Sequence, residues 1–251
     1  MTVLHIDRTE AIVTLTLNRP ASGNALNIAL VEQLETAVET AVADDTRALV
    51  LAADGSIFCG GGDVEAMATA ADPAEYTHAL ATGLHRTLLA LAAAPFPLII
   101  ATEGAAAGAG LGLILNGDFV IASETASFVA AYGKLGVSPD GGTSYLLPRV
   151  VGRVRANQLA LRNRRLDAVT ALDWGIVSEI VPPGSALEAA QQLARDIERI
   201  PVAAIAETKR LLAASWLPGY RAHLDDEADT IARLITTEES RARQHTFLAG
   251  R

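Results

Sequence analysis

Two glycine-rich segments are places where the backbone itself could do chemistry. Phe58-Cys59-Gly60-Gly61-Gly62-Asp63-Val64 follows an apolar run ending near Ala52. Gly104-Ala105-Ala106-Ala107-Gly108-Ala109-Gly110-Leu111-Gly112 follows one ending near Thr102. Each reads as a turn directly after a strand and leading into a helix, where main-chain N–H groups lack intrahelical partners and the dipole favours negative charge. Residues this small let a ligand approach the backbone closely. Taken singly, each is more simply a tight turn. Two at strand-to-helix junctions could aim two N–H donors at one developing oxyanion. A third segment, Pro139-Asp140-Gly141-Gly142, is strong turn chemistry, in which Asp140 is either a helix cap or an acid.

Other chemistries fit poorly. Gly108-x-Gly110 lacks the third glycine of a dinucleotide fingerprint, since position 113 is Leu113, and no acidic residue follows at roughly 20 residues. No glycine cluster leads into Gly-Lys-Ser/Thr, so a P-loop fails. No Gly-x-Ser-x-Gly elbow exists for a serine hydrolase. His78 and His85 share one helix without a ligand cluster and read as solvated or packed rather than metal-binding. Cys59 has no histidine near it in sequence and reads as a small packed residue.

The elements that must position these segments alternate. Val3 to Ile6 and Ala11 to Leu17 read as strands joined by a turn at Arg8-Thr9. Leu30, Val31, Leu34, Ala37, Val38, Ala41 and Val42 recur at helical spacing behind Asn27, a natural N-cap. Ala48 to Leu51, Leu98 to Ala101 and Phe119 to Ala122 read as buried strands, with a helix over 74–93 ended by Pro95 and Pro97. This alternation predicts parallel β/α units. Beyond residue 150 only Ile176 to Val181 reads as a strand. Ser185-x-x-Glu188 is a capping box, opening a helix with Leu187, Ala190, Ala194 and Ile197 on one face. Pro201 suits the first turn of the next helix, and Pro218-Gly219 precedes a last acidic helix. Its Asp225, Asp226, Glu227 and Asp229 read as a solvated face. The spans 1–195 and 196–251 are expected to be an α/β core and a helical C-terminal region.

Length and composition bound the partners. The 251 residues carry 20 Lys and Arg against 29 Asp and Glu, a formal net charge of −9. No basic excess exists for phosphates, so neither nucleic acid nor an anionic membrane surface is an expected partner. One cysteine excludes an internal disulfide and a Cys-rich zinc site. The longest uncharged run, Thr87 to Thr102, is 16 residues and holds two prolines, too short and broken to span a bilayer. No secretory signal is visible, and a cytoplasmic protein is expected.

In their order along the chain these motifs resemble the crotonase (enoyl-CoA hydratase/isomerase) superfamily. Asn18-Arg19-Pro20 through Asn24-Ala25-Leu26-Asn27 resembles the loop after its first hairpin. Phe58 to Asp63 resembles the first oxyanion turn, and Gly104 to Gly112 with Asp118 the second. Leu135-Gly136-Val137-Ser138-Pro139-Asp140-Gly141-Gly142, with Leu146-Leu147-Pro148-Arg149, resembles the active-site loop and its helix. Trp174 to Val177 and Phe247-Leu248 fit the C-terminal region. The resemblance implies a crotonase (ClpP-like) fold of stacked β/α units and an acyl-CoA thioester substrate. It also implies an enolate held by the N–H groups of Gly62 and Ala109. Coenzyme A would lie along Ala25, Leu26, Gly60, Gly62, Asp63 and Val64, as part of the substrate with no separate cofactor or metal. A homotrimer or hexamer is implied as well.

The departures are informative. The family's hydratases use two glutamates to deliver and protonate water. Here the first falls at Gly112 and the second at Tyr132, a phenol and a poor base at neutral pH. Some isomerase-type members resemble this chain in carrying an acid at Asp140. Double-bond isomerisation with Asp140 as proton shuttle, assisted by Tyr132, is the expected reaction. Asp63 and Asp118 are read as structural, the first capping its helix. Another reaction on a CoA thioester (hydration, hydrolysis, ring-opening or decarboxylation) and a non-catalytic acyl-CoA-binding protein are the alternatives.

Overall fold

The computed structural model describes residues 2–250. Strands β1 (Leu4–Thr9) and β2 (Ile12–Leu17) pair antiparallel, Leu4 opposite Leu17 and Thr9 opposite Ile12. The turn falls at Glu10-Ala11, two residues beyond the expected position. Only Leu4 of β1 is buried, yet the polar residues remain strand because each pairs with β2; Arg8 also reaches back to Asp44 at 2.5 Å and to Asp45. Helix α1 (Ile28–Ala43) is capped as expected, with Asn27 Oδ1 accepting from Leu30 N–H at 3.0 Å.

Three similar units follow. Strand β3 (Ala48–Ala53) leads into a short β4 (Ile57–Cys59), then α2 (Val64–Thr69) and α3 (Pro73–Ala93). Strand β5 (Leu98–Thr102) leads into β6 (Ala105–Ala107) and α4 (Ala109–Leu115). Strand β7 (Phe119–Ser123) leads into β8 (Ser127–Val129), a tight turn at Tyr132–Lys134, and helices α5 (Thr143–Val151) and α6 (Arg153–Ala160). Then come β9 (Leu166–Asp167), α7 (Ala168–Asp173) and β10 (Glu179–Val181). Helices α8 (Ala186–Glu198), α9 (Val202–Trp216), α10 (Tyr220–Ile235) and α11 (Glu238–Ala249) complete the order.

The long strands, with the three-residue β10 at one edge, form one sheet, β1-β2-β3-β5-β7-β10, parallel except for β1. The short ones form a second, β4-β6-β8-β9, with only β9 antiparallel. This second sheet corrects the sequence reading. The glycine turns do not follow the first-sheet strands directly, because each unit first adds a three-residue strand, and Ala105–Ala107 lies inside what reads as one continuous turn. Strands this short show no period-two pattern, and alanine is a poor strand former. The strand expected over 176–181 begins only at Glu179. Ile176 and Val177 instead bury their side chains in the main core.

The main core lies between the sheets and α1, α3 and α10, and includes Leu30, Leu51, Phe58, Leu84, Leu88, Phe128, Leu224 and Ile231. The outer face of the first sheet presents Val50, Ile99 and Ile121 to Ala190, Ala194 and Ile197 of α8. The capping box expected there does not form: the Ser185 side chain makes no cap bond. Glu103 takes its place, its carboxylate accepting from Gly184 N–H at 2.8 Å and Ala186 N–H at 2.7 Å. Leu187, expected on the buried face, is exposed. No helix of the described residues is long and apolar enough to cross a membrane.

Candidate active site

Strand β4 delivers the first glycine turn and a β-bridge shapes it. Gly60 N–H donates to Gly23 O at 2.9 Å, Leu26 N–H to Gly61 O at 2.7 Å and Asp63 N–H to Leu26 O at 2.8 Å. Gly62 N–H, between these bonds, donates to no protein acceptor among the described residues. Asp63 caps α2 through Ala66 N–H at 3.2 Å and receives Arg19 Nη2 at 2.9 Å in a mostly buried pair. Its carboxylate is therefore committed to ordering the turn. Arg19 also donates to the Ala25 carbonyl. The side chains of Ala25, Leu26 and Val64 are buried around this turn, whereas Gly60 is exposed.

The second turn follows β6. Gly108 N–H donates to Val129 O at 3.2 Å, and Gly108 O accepts from Leu111 and Gly112 as α4 begins. Ala109, the first residue of α4, has an N–H without a protein acceptor among the described residues, as expected at a helix start. The two turns touch: a Cβ added to Gly61, which has φ +97, would stand 3.0 Å from Ala107 O and 3.4 Å from Ala109 N. The backbones are thus as close as glycine allows, and two unpaired N–H groups are available in adjoining turns.

Asp140 lies in the loop leading to α5 and is buried. Its Oδ1 accepts from Tyr132 Oη at 2.8 Å, and that hydroxyl lies 3.0 Å from the Asp140 carbonyl and 3.3 Å from Thr143 Oγ1. The sequence reading thus names two residues that meet, across the turn at Tyr132–Lys134. The side-chain cap role for Asp140 is not seen: α5 starts at Thr143 behind Gly142, Thr143 N–H donates to the Asp140 backbone carbonyl at 3.1 Å, and Gly142 and Ser144 N–H donate to Glu227. Burial pushes the Asp140 carboxyl up to about 6, partly opposed by the Tyr132 hydrogen bond. Burial also holds the Tyr132 phenol well above its usual range.

Gly112 sits against this loop. A Cβ there would lie 2.7 Å from the Gly141 carbonyl oxygen and 3.2 Å from Gly141 C, so backbone fills the space any side chain at 112 would need. Only one carboxylate is available from these two positions.

Sequence reading misses Glu227. Expected on a solvated face, it is 5% exposed. Its Oε2 accepts from Gly142 N–H at 2.8 Å, and its Oε1 from Ser144 N–H at 2.9 Å and from Ser144 Oγ. Burial first, then the nearby Asp140 charge, raises its carboxyl to about 7 against those hydrogen bonds. The signal was available: Tyr220, Leu224, Ala228, Ile231 and Ile235 form the buried stripe of α10, and Glu227 falls within it. His85 is likewise internal, its Nε2 accepting from Gly141 N–H at 3.1 Å. Burial pushes it down to about 4, so the 3.9 Å approach to Glu227 involves a neutral ring. His78 stays at the surface, 3.2 Å from Asp229. Cys59 is fully buried with its thiol pushed up to about 12 by desolvation, which removes it as a nucleophile. Asp118 anchors a strand start, accepting from Leu98 N–H at 2.7 Å and Lys209 Nζ at 2.6 Å.

The enoyl-CoA hydratase/isomerase family model matches residues 7–251. The chain is 36% identical over 252 residues to the 1,2-epoxyphenylacetyl-CoA isomerase of Escherichia coli K12, covering 98% of this chain and 95% of that one. It is 34% identical over 242 residues to a probable enoyl-CoA hydratase of Rhodobacter capsulatus, covering 96% and 93%. An enoyl-CoA hydratase crystal structure from Mycobacterium avium subsp. paratuberculosis superposes with TM-score 0.89 at 29% identity, covering 100% of this chain and 97% of that one. Two glycine turns with unpaired amides, on paired sheets with a helical C-terminal region, are therefore the crotonase fold. The chain belongs to the enoyl-CoA hydratase/isomerase family of the crotonase superfamily.

Proposed function

We propose that this acyl-CoA enzyme moves a double bond from the 3- to the 2-position of an enoyl-CoA thioester. The observation that carries the reading is one buried carboxylate, Asp140, bonded to Tyr132 and free of cap duty, opposite a Gly112 with no room for a second. In the reaction Asp140 takes a proton from C2 of the 3-enoyl thioester. The electron pair moves through the dienolate onto the thioester oxygen, held by Gly62 and Ala109 N–H. Protonated Asp140 then returns the proton at C4. One group serves as base and then acid, for which a carboxyl raised to about 6 is better matched than an ordinary one. Tyr132 orients the carboxylate by donating its only proton. Coenzyme A would run past Ala25, Leu26, Gly60, Gly62, Asp63 and Val64 as part of the substrate, with no further cofactor. A relative named as a trans-2-decenoyl-[acyl-carrier-protein] isomerase, from Streptococcus mutans and 32% identical over 231 residues, supports this reading.

Hydration needs a second acid or base to handle the water, and each such group contributes roughly 10²–10⁴-fold. Crotonyl-CoA should therefore be hydrated at least about 100-fold more slowly than 3-hexenoyl-CoA is isomerised. Both are followed by absorbance of the conjugated enoyl thioester, with product identified by chromatography. Rapid appearance of 3-hydroxybutyryl-CoA would overturn the isomerase reading.

The cytoplasm is the proposed compartment, and a homotrimer or pair of trimers the proposed assembly, formed through residues 196–251. Helix α9 supports it, with no buried residue and with Leu211 60% and Leu212 64% exposed beside Trp216. Such an apolar face is usually covered by another surface. Light scattering at micromolar concentration should give three or six chain masses, and a stable monomer would refute it.

A further inference from the structure

The loop carrying Asp140 does little to hold its own shape beyond Thr143 N–H donating to Asp140 O at 3.1 Å. Gly141 and Gly142 both take positive φ, at +62 and +76, and α5 begins behind a glycine with no side chain to cap it. Four other segments fix it instead. Tyr132 bonds Asp140, His85 of α3 accepts from Gly141 N–H, and Asn116 Nδ2 donates to Gly141 O at 3.2 Å. Glu227 of α10 accepts from Gly142 and Ser144 N–H with separate oxygens. Asn116 is itself held by Tyr220 Oη at 2.8 Å, again from α10.

We propose that Glu227 is the positioning residue for Asp140, acting through the backbone of residues 141–144. The proposal rests on the reading of Asp140 as the proton shuttle. A local Ser, Thr or Asn cap would satisfy the same amides without burying charge. The carboxylate on α10 does what a local cap does not: it ties the loop to a helix packed on α3, so that Asp140 keeps one place relative to the second glycine turn. A Cβ added to Gly141 would lie 3.7 Å from Gly112 Cα and 3.8 Å from Ala109 Cα, so the held segment adjoins that turn. Displacement of a catalytic group by about 1 Å can cost 10²-fold in rate.

The experiment uses Glu227→Gln, Asp140→Asn and the double variant of the full chain, with 3-hexenoyl-CoA as probe. Glutamine keeps the size but turns one acceptor into a donor facing an amide N–H. In Glu227→Gln we expect kcat to fall about tenfold or more with KM within about twofold of the parent, a split that marks transition-state positioning. The groups facing Glu227 are Asp140 and Tyr132 from the loop and turn, and His85 from α3. From α10 come Tyr220 and His223, the latter influenced by Arg149 of α5. Glu227, raised to about 7 in part by the Asp140 charge, is largely uncharged where Asp140 titrates near 6, so the acid limb of kcat should stay at its parental pH. In the Asp140→Asn background, Glu227→Gln should add less than about twofold, because it acts through the missing carboxylate. An equal loss in both backgrounds overturns the proposal while leaving Asp140 as shuttle, as does a parental kcat for Glu227→Gln. A parental rate for Asp140→Asn overturns the shuttle reading itself, and the proposal with it. If Glu227→Gln does not fold, Ser144→Ala removes only the hydroxyl bonded to Oε1. It should lower kcat about threefold at unchanged KM, and a parental kcat there overturns the proposal equally.

Discussion

Asp140→Asn should fold, bind acyl-CoA with near-parental affinity, and lose 3-to-2 isomerisation by roughly two or more orders of magnitude, the contribution of a positioned base. The amide matches the carboxylate in size and can still accept from Tyr132, so the loop need not move. Because Gly142 and Ser144 N–H bond to Glu227, and Thr143 N–H to the Asp140 backbone carbonyl that the amide variant keeps, no helix cap is lost. What disappears is the ability to accept a proton. In the parent, the ionised form is the base, so turnover should rise as pH increases through about 6, the value set by burial of Asp140. Tyr132→Phe removes the orienting donor at 2.8 Å and should cost less, about tenfold. Steady-state rates for the three proteins, with circular dichroism to confirm folding, decide the matter. A parental rate for Asp140→Asn would sink the assignment.

Ala109→Pro should abolish measurable turnover, whereas Ala109→Ser should stay within about tenfold of the parent. The structure makes this substitution less disruptive than the sequence alone would indicate. Ala109 is the first residue of α4, where proline is favoured and the N–H has no intrahelical partner. Gly108 before it has ψ −127, outside the helical region that proline disfavours in its neighbour. The amide hydrogen is lost and the ring carbon stands where an oxyanion would approach. Removing one such donor typically costs about 2.7–4 kcal/mol, and the added carbon excludes the ligand oxygen as well. Turnover of 3-hexenoyl-CoA together with thermal melting separates a lost donor from a lost fold. A folded Ala109→Pro protein with parental activity would show that Ala109 is not a donor.

Much of this site is legible in the sequence because it is made of local signals. Asn27 before a helical apolar stripe gives α1 and its cap. Asp63 reads as a cap, and its bond to Ala66 is that cap. The glycine turns and Asp140 also carry their identity in short motifs. What stays hidden depends on segments far apart in sequence. The bond between Tyr132 and Asp140 spans a loop, so only the possibility of contact can be read. Strands β4, β6 and β8 are three residues each and exist because they pair with one another. Glu227 sits in an acidic run that looks solvated until the apolar stripe of α10 is turned toward α3. Reading Asp225 to Asp229 as one charged block, rather than by helical position, conceals it.

The cap on α8 makes one helix depend on a distant residue. Glu103 reaches Gly184 and Ala186 from 81 and 83 residues away. Closing a flexible loop of that length costs on the order of 4 kcal/mol in chain entropy, well above the roughly 1 kcal/mol that a helix cap returns. The two bonds therefore cannot draw the segments together. They accompany the pairing of β10 with β7, which brings Val181 opposite Ser123. Helix α8 thus takes its start from a residue at the end of a central strand rather than from its own Ser185, and an exchange at Glu103 would be felt at a helix more than 80 residues away.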